Sequence, residues 1–287
     1  MRPLRVLSID FDYFVDATIG ERAELFPDAN DNLPAELGAY IWATHYAEES
    51  INPHKRPLKD IDVRREELSQ LMECICDWGH DIGWIAICES HKHILGYIET
   101  LLGKYGNWHA IQLLHIDHHT DCYDIGNELN CGNWLNCLDR LIIRYGGGMK
   151  VTWVGNVDSD NDTTGAIKHR IIDRCGKWDM LKDTKDFFSG EAPDFIFLCK
   201  SSPWTPPHLD DYFDSIAKLL IDCHGASCTN FIDGAVPANR WSEMFRQVVD
   251  QTTQQYLQVR ADIACEKMTG SFEGLKLDED ALERALK

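Results

Sequence analysis

The sequence predicts an α/β protein: a mostly parallel β-sheet with helices on both faces, three layers in all, built as one domain over residues 1–287. Three observations carry this. Short apolar runs alternate with longer amphipathic ones along the chain. The short runs are hydrophobic throughout rather than every second residue, the pattern of strands covered on both faces. Finally, 287 residues at 44% hydrophobic content fit one large α/β domain, with no low-complexity linker and no internal repeat to divide it.

In chain order, the first strand is expected over Arg5–Ile9, an apolar run entered directly from the N-terminus. Apolar residues at three- and four-residue intervals then predict helices over Pro34–Glu49 and Val63–Trp78. A strand over Trp84–Cys88 leads to a helix over His93–Lys104, and a strand over Ala110–His115 to a helix over Trp134–Tyr145. Strands follow at Val151–Val154 and Phe195–Cys199, each bounded by Gly, Asp, Asn or Pro. Helices over Leu209–Cys223 and Trp241–Glu266 close the pattern, and Leu275–Lys287 reads as a short, charged, peripheral helix. Gly20–Asn32 and the polar stretch Asp158–Thr164 are expected to be functional loops.

Charge narrows the function. The chain carries 28 Lys and Arg against 47 Asp and Glu, a net charge of −19, and has no local basic patch. Phosphate backbones and anionic lipid repel such a surface, so nucleic-acid and membrane-surface roles are disfavoured, whereas a cationic substrate suits it. Solubility alone also accounts for that charge. No apolar run approaches the roughly 20 residues that span a bilayer, and no signal peptide opens the chain, so a cytoplasmic protein is expected. The eleven cysteines are scattered without CxxC pairs, which suggests reduced, mostly buried thiols rather than disulfides or a zinc ribbon.

In open parallel sheets, active sites lie beyond the C-terminal ends of the strands. Polar clusters fall at those positions here. After the Ala110–His115 strand come Asp117, His119 and Asp121 at i, i+2 and i+4, which in an extended segment project to one side. Two carboxylates and an imidazole suit a divalent ion such as Mn²⁺, Fe²⁺ or Zn²⁺. The first strand runs into Asp10 and Asp12, set among Ile9, Phe11, Tyr13 and Phe14, and carboxylates in so apolar a setting need a compensating cation. The third strand end, Glu89-Ser90-His91-Lys92-His93, offers a further imidazole. His118 is read either as pocket lining or as a packed core histidine, with packing favoured.

The segments Asp117-His118-His119-Thr120-Asp121 and Ser8-Ile9-Asp10-Phe11-Asp12, with His91 placed 26 residues before Asp117, together resemble the Asp-x-His-x-Asp, Ser-x-Asp-x-Asp and upstream-histidine motifs of the arginase/deacetylase superfamily of α/β metallohydrolases. The resemblance covers three strand ends. It implies two Mn²⁺ ions, one on His91, Asp117, Asp121 and Asp10, the other on His119, Asp117, Asp10 and Asp12, with a hydroxide held between them. It departs from ordinary arginases in motif order, since Asp10 and Asp12 open the chain as though the order were permuted. Cys88-Glu89-Ser90 also replaces the usual Gly-Gly-Asp, and the residues that grip free arginine's α-amino and α-carboxylate groups have no clear match.

Within the superfamily the chain is most similar to peptide arginases, through Ile9 to Phe14, His115 to Asp121, Cys131-Gly132-Asn133-Trp134 and Ser201-Ser202-Pro203-Trp204-Thr205-Pro206-Pro207. That likeness implies hydrolysis of arginine side chains to ornithine and urea in a ribosomally made precursor peptide. It casts Asp121 as proton shuttle, alongside His91 and Glu89 as catalytic residues. Asn133, Trp134, Ser202, Trp204 and Asp124 would bind substrate, with Glu89 or Asp124 facing the guanidinium. Asn133-Trp134 and the Pro206-Pro207 segment read equally as ordinary helix starts. Alternatives are a zinc deacetylase with one metal and tandem acid/base histidines, a free-arginine or agmatine ureohydrolase, and a non-enzymatic binding protein that kept the fold. The oligomeric state, homo-oligomers included, is left open.

Overall fold

The computed structural model describes residues 2–27, 35–49, 56–105, 110–123, 128–159, 171–174, 176–224 and 236–269. Its strands are β1 (Leu4–Asp10), β2 (Trp84–Cys88), β3 (Ala110–Ile116), β4 (Gly148–Val154), β5 (Ile171–Asp173) and β6 (Phe195–Cys199). They form one sheet in the order β2-β6-β1-β3-β4-β5, every neighbouring pair parallel. The helices are α1 (Ile19–Leu25), α2 (Ala35–Glu49), α3 (Arg65–Trp78), α4 (Ile94–Tyr105), α5 (Trp134–Arg144), α6 (Met180–Phe187), α7 (Asp210–His224) and α8 (Glu243–Thr269).

Both faces of the sheet are buried, consistent with three α/β/α layers. On one face Leu7, Ile9, Leu114, Ile116, Ile196 and Leu198 pack with Trp42 of α2, Leu71 of α3 and Phe213 of α7. On the other, Val6, Leu113, Val151 and Phe197 meet Ile98 and Leu101 of α4 and Leu135 and Leu138 of α5. Continuous apolar strands therefore follow from double coverage. Among the described residues no helix is long and apolar enough to cross a membrane.

The register determines where polar groups converge. Ile9 pairs with Ile116, Asp10 with Cys199, and Cys199 with Cys88. Four adjacent strands, β2, β6, β1 and β3, thus end at one level, and each releases its polar segment at the same edge.

Three elements depart from expectation. Residues 19–25 of the expected Gly20–Asn32 loop form α1, started by a capping box in which Thr18 Oγ1 accepts from Glu21 N at 3.2 Å and Glu21 Oε2 accepts from Thr18 N at 2.8 Å. Helix α6 starts on Asp179, whose Oδ1 accepts from Lys182 N, and β5 has only three residues. Residues 28–32 and 160–164, and the Leu275–Lys287 helix, lie outside the described residues. The eight cysteines whose side chains are described are free, but only Cys74, Cys122 and Cys199 of these are buried, fewer than expected.

Candidate metal centre

The carboxylates reach the site through turns, not through strand alternation. β1 stops at Asp10, and Asp12 sits in a 3-10 turn over Phe11–Phe14, its backbone N–H bound to Asp10 Oδ1. β3 stops at Ile116, and Asp121 takes the left-handed conformation at φ 52°. The extended i, i+2, i+4 arrangement expected for Asp117, His119 and Asp121 is therefore corrected: a tight turn, with His119 N–H on Asp117 Oδ1 at 2.7 Å, gathers them. His91 enters from another 3-10 turn, His91–His93, after β2.

His91 is the hub. Its Nδ1 lies 2.9 Å from Asp10 Oδ2, 3.3 Å from Asp117 Oδ2 and 3.5 Å from Asp121 Oδ2. Its Nε2 lies 2.6 Å from Ser8 Oγ. On the other side of Asp117, His119 Nδ1 is 3.1 Å from Asp12 Oδ2 and 3.7 Å from Asp117 Oδ1. Three buried or nearly buried groups have donor atoms close enough to share an ion: Asp10, His91 and Cys199; His91, His115 and Asp117; and Asp12, Asp117 and His119. His119 is the one member that is not buried, so solvent meets the cluster there.

Electrostatics point to an unmet need for positive charge. Burial, then the neighbouring Asp12 and Asp117, push Asp10 up to about 7. Burial and Asp117 likewise raise Asp121 well above the usual carboxylate range. Asp117 goes the other way: burial favours its neutral form, but contacts with His119 and His91 hold it well below that range. Burial favours neutral rings, yet carboxylate contacts lift His91 and His119 well above ordinary histidines. The nearest guanidinium, Arg22, is itself buried, with Nη1 3.9 Å from Asp12 Oδ2. It is committed to the carbonyls of Asp12, Val15 and Ala17.

Divalent cations fit these residues. Asp12 Oδ2, Asp117 Oδ2 and both ring nitrogens of His115 are buried without a hydrogen bond. Unsatisfied carboxylate oxygens beside imidazole nitrogens are costly unless an ion binds them, and mixed oxygen and nitrogen donors suit Mn²⁺, Fe²⁺ or Zn²⁺.

The remaining expected site residues separate by position. Trp134 is fully buried, donates its indole N–H to Asp121 Oδ2 and stacks on His91 at 5.2 Å; it reaches the centre from behind, not as an open pocket wall. Asn133 is also buried, its side chain bound to Asn130 N and Glu128 O in the turn before α5. Ser202 points its carbonyl at Trp42 and Arg240. Trp204 is half-buried with its ring 5.0 Å from that of His119, at the open side. Glu89 is raised by burial and opposed by Arg240 and Lys200, cations of the protein itself. Asp124 lies outside the described residues. His118 packs inward, Nδ1 3.3 Å from Asn156 Oδ1, and burial beside Arg22 pushes it down to about 2.

Sequence reasoning did not single out His115, Cys199, Arg22 or the bond from Ser201 Oγ to Asp10 Oδ2 at 2.5 Å. Comparison with protein-family models, curated proteins and solved structures gives no match.

Proposed function

We propose that the protein is a dinuclear metallohydrolase with an arginase/deacetylase-like fold of permuted motif order, acting on arginine side chains of a ribosomally made precursor peptide to yield ornithine and urea. The observation that carries this reading is that two donor groups, one around His91 and one around His119, share Asp117. A shared carboxylate between two donor sets suits a pair of Mn²⁺ ions better than the single zinc of a deacetylase. The tandem-histidine chemistry of that alternative is further disfavoured because His118 is bound to Asn156.

Bound ions would act as Lewis acids and lower the pKa of a bound water. The chain's own groups do the rest. Asp10, Asp117 and His91 line one part of the centre and Asp12 with His119 the other, where His119 meets solvent. Asp121 is the carboxylate placed to carry a proton from the attacking water to the leaving amine, with Trp134 N–H fixing its Oδ2. Trp204 offers an indole face beside His119, a surface on which a planar guanidinium stacks. The net charge of −19 favours encounter with a cationic peptide. A cytoplasmic location is part of the same proposal.

Incubating Mn²⁺-loaded protein with an arginine-containing peptide and with free arginine tests the reaction. The expected result is urea release and a mass loss of about 42 Da per modified arginine in the peptide, the difference between arginine and ornithine. Conversion of free arginine beside unchanged peptide would place the protein among ordinary ureohydrolases instead.

A further inference from the structure

We propose that His115 is a ligand of the metal centre, binding through Nε2 an ion shared with His91, Asp117 and Asp121. This rests on the dinuclear reading above but adds a residue that the motif resemblance leaves out. His115 lies within β3, two positions before Asp117, which follows the strand's end, and its Nε2 faces the Asp117 carboxylate. In the sheet it sits between Ser8 of β1 and Trp153 of β4. The ring is fully buried, and neither nitrogen has a hydrogen bond.

Its lack of a hydrogen bond sets it apart from the other buried histidines among the described residues. The other buried described histidines are both bound, His91 to Ser8 and Asp10, His118 to Asn156. Half-buried His208 is also held at both ends, by Tyr46 Oη and by the Ile61 carbonyl. A histidine kept only for packing leaves two polar atoms dehydrated, a cost that an apolar residue in the same strand would avoid. Turning the ring toward another partner is blocked by edge contacts with Trp134 and His91, at 5.2 and 5.1 Å between centroids.

The spacing fits a shared ion. Donors on one ion, with bonds of about 2.1 Å, lie about 3.0 Å apart at right angles and about 4.2 Å apart when opposite. His115 Nε2 is 3.3 Å from Asp117 Oδ2 and 3.8 Å from Asp121 Oδ2. His91 Nδ1 is 3.3 and 3.5 Å from the same two oxygens. One of those oxygens, Asp117 Oδ2, also lacks a hydrogen bond. Both imidazoles thus lie at ligand spacing from the same two carboxylate oxygens, and His91, His115 and Asp117 form one of the compact donor groups.

A second imidazole makes this position richer in nitrogen than the one at His119, Asp12 and Asp117. Imidazole favours Zn²⁺, Fe²⁺ or Co²⁺ over Mn²⁺ relative to a carboxylate set, so the two positions should differ in metal preference. His115 Nδ1 has no acceptor, whereas His91 Nε2 rests on Ser8 Oγ, so His115 is the weaker of the two nitrogen ligands.

X-ray absorption of the full chain loaded with one equivalent of Zn²⁺, with metal titration of wild type and His115→Phe, tests the assignment. Expected are two imidazoles per bound zinc in the wild type and one in the variant, whose affinity for that ion falls at least about tenfold. A single imidazole in the wild-type spectrum, or unchanged affinity in the variant, overturns the assignment and leaves the dinuclear reading standing. Failure of the wild type to bind any divalent ion overturns both. Should the variant not fold, the wild-type spectrum decides alone.

Discussion

Ser8 Oγ lies 2.6 Å from His91 Nε2, while the opposite nitrogen of that ring lies 2.9 Å from Asp10 Oδ2. Ser8 Oγ is placed to accept from Nε2–H, the tautomer in which Nδ1 would bind an ion held with the carboxylates. Outer contacts of this kind typically change metal affinity by about 10–100-fold. Ser8→Ala should bind metal about 10–100-fold more weakly, as read by chelator competition, while keeping its circular dichroism spectrum. Unchanged affinity would mean that the hydroxyl does not orient the ring.

Trp134 supports the centre from behind, its indole N–H on Asp121 Oδ2. Trp134→Phe keeps an aromatic ring against His91 but leaves a buried carboxylate short of a donor. The expected loss is about 1–3 kcal/mol in urea unfolding of metal-free protein, with lowered turnover. A variant of wild-type stability and rate would remove the assigned role.

The segment carrying Ser201, Ser202 and Trp204 is pinned by a buried ion cluster. Lys200 and Asp210 are fully buried, with Nζ to Oδ2 2.8 Å, and Arg240 grips Asp210 while donating to the carbonyls of Ser202 and Thr205. Asp210→Asn leaves two cations without their counter-charge, which should cost about 3–5 kcal/mol by denaturant titration. A loss below 1 kcal/mol, the range of exposed pairs, would contradict it.

Acid stability carries a signature remote from the centre. Burial lowers His208 below the ordinary histidine value of 6.5, its ring being held by Tyr46 and Ile61. The unfolded chain takes up a proton near 6.5 and the folded chain only at lower pH, so stability falls as pH drops through that window. Asp210, held below the usual carboxylate range by Arg240 against the effect of burial, contributes only at lower pH, where its stabilisation is lost as pH falls through 3.8 and below. His208→Gln should flatten the dependence between pH 6.5 and 5 in thermal melts, and an unaltered slope would refute this.

Much of this was legible in the sequence where one physical signal dominated. β2 and β6, apolar throughout, were placed to the residue, because strands buried on both faces admit no polar position. The convergence of Asp10, Asp117 and His91 was legible because carboxylates and an imidazole at strand ends, next to apolar residues, need a reason to be there. His115 was overlooked for the opposite reason: a histidine inside an apolar strand looks like core until its neighbours across the sheet are known. The turn that gathers Asp117, His119 and Asp121 depends on Asp121 adopting φ 52°, a conformation a non-glycine residue does not advertise. Helix α1 was missed although Thr18 and Glu21 carry its capping-box signature, and β5 was too short to register.

The central claim is that two divalent ions share Asp117, and metal content per chain measures it most directly. After Mn²⁺ loading and removal of free metal, wild-type protein should hold two ions per chain, and Asp117→Asn should lose the first and weaken the second beyond retention. A wild type that holds one ion or none, or an Asp117→Asn variant that keeps both, would contradict the account.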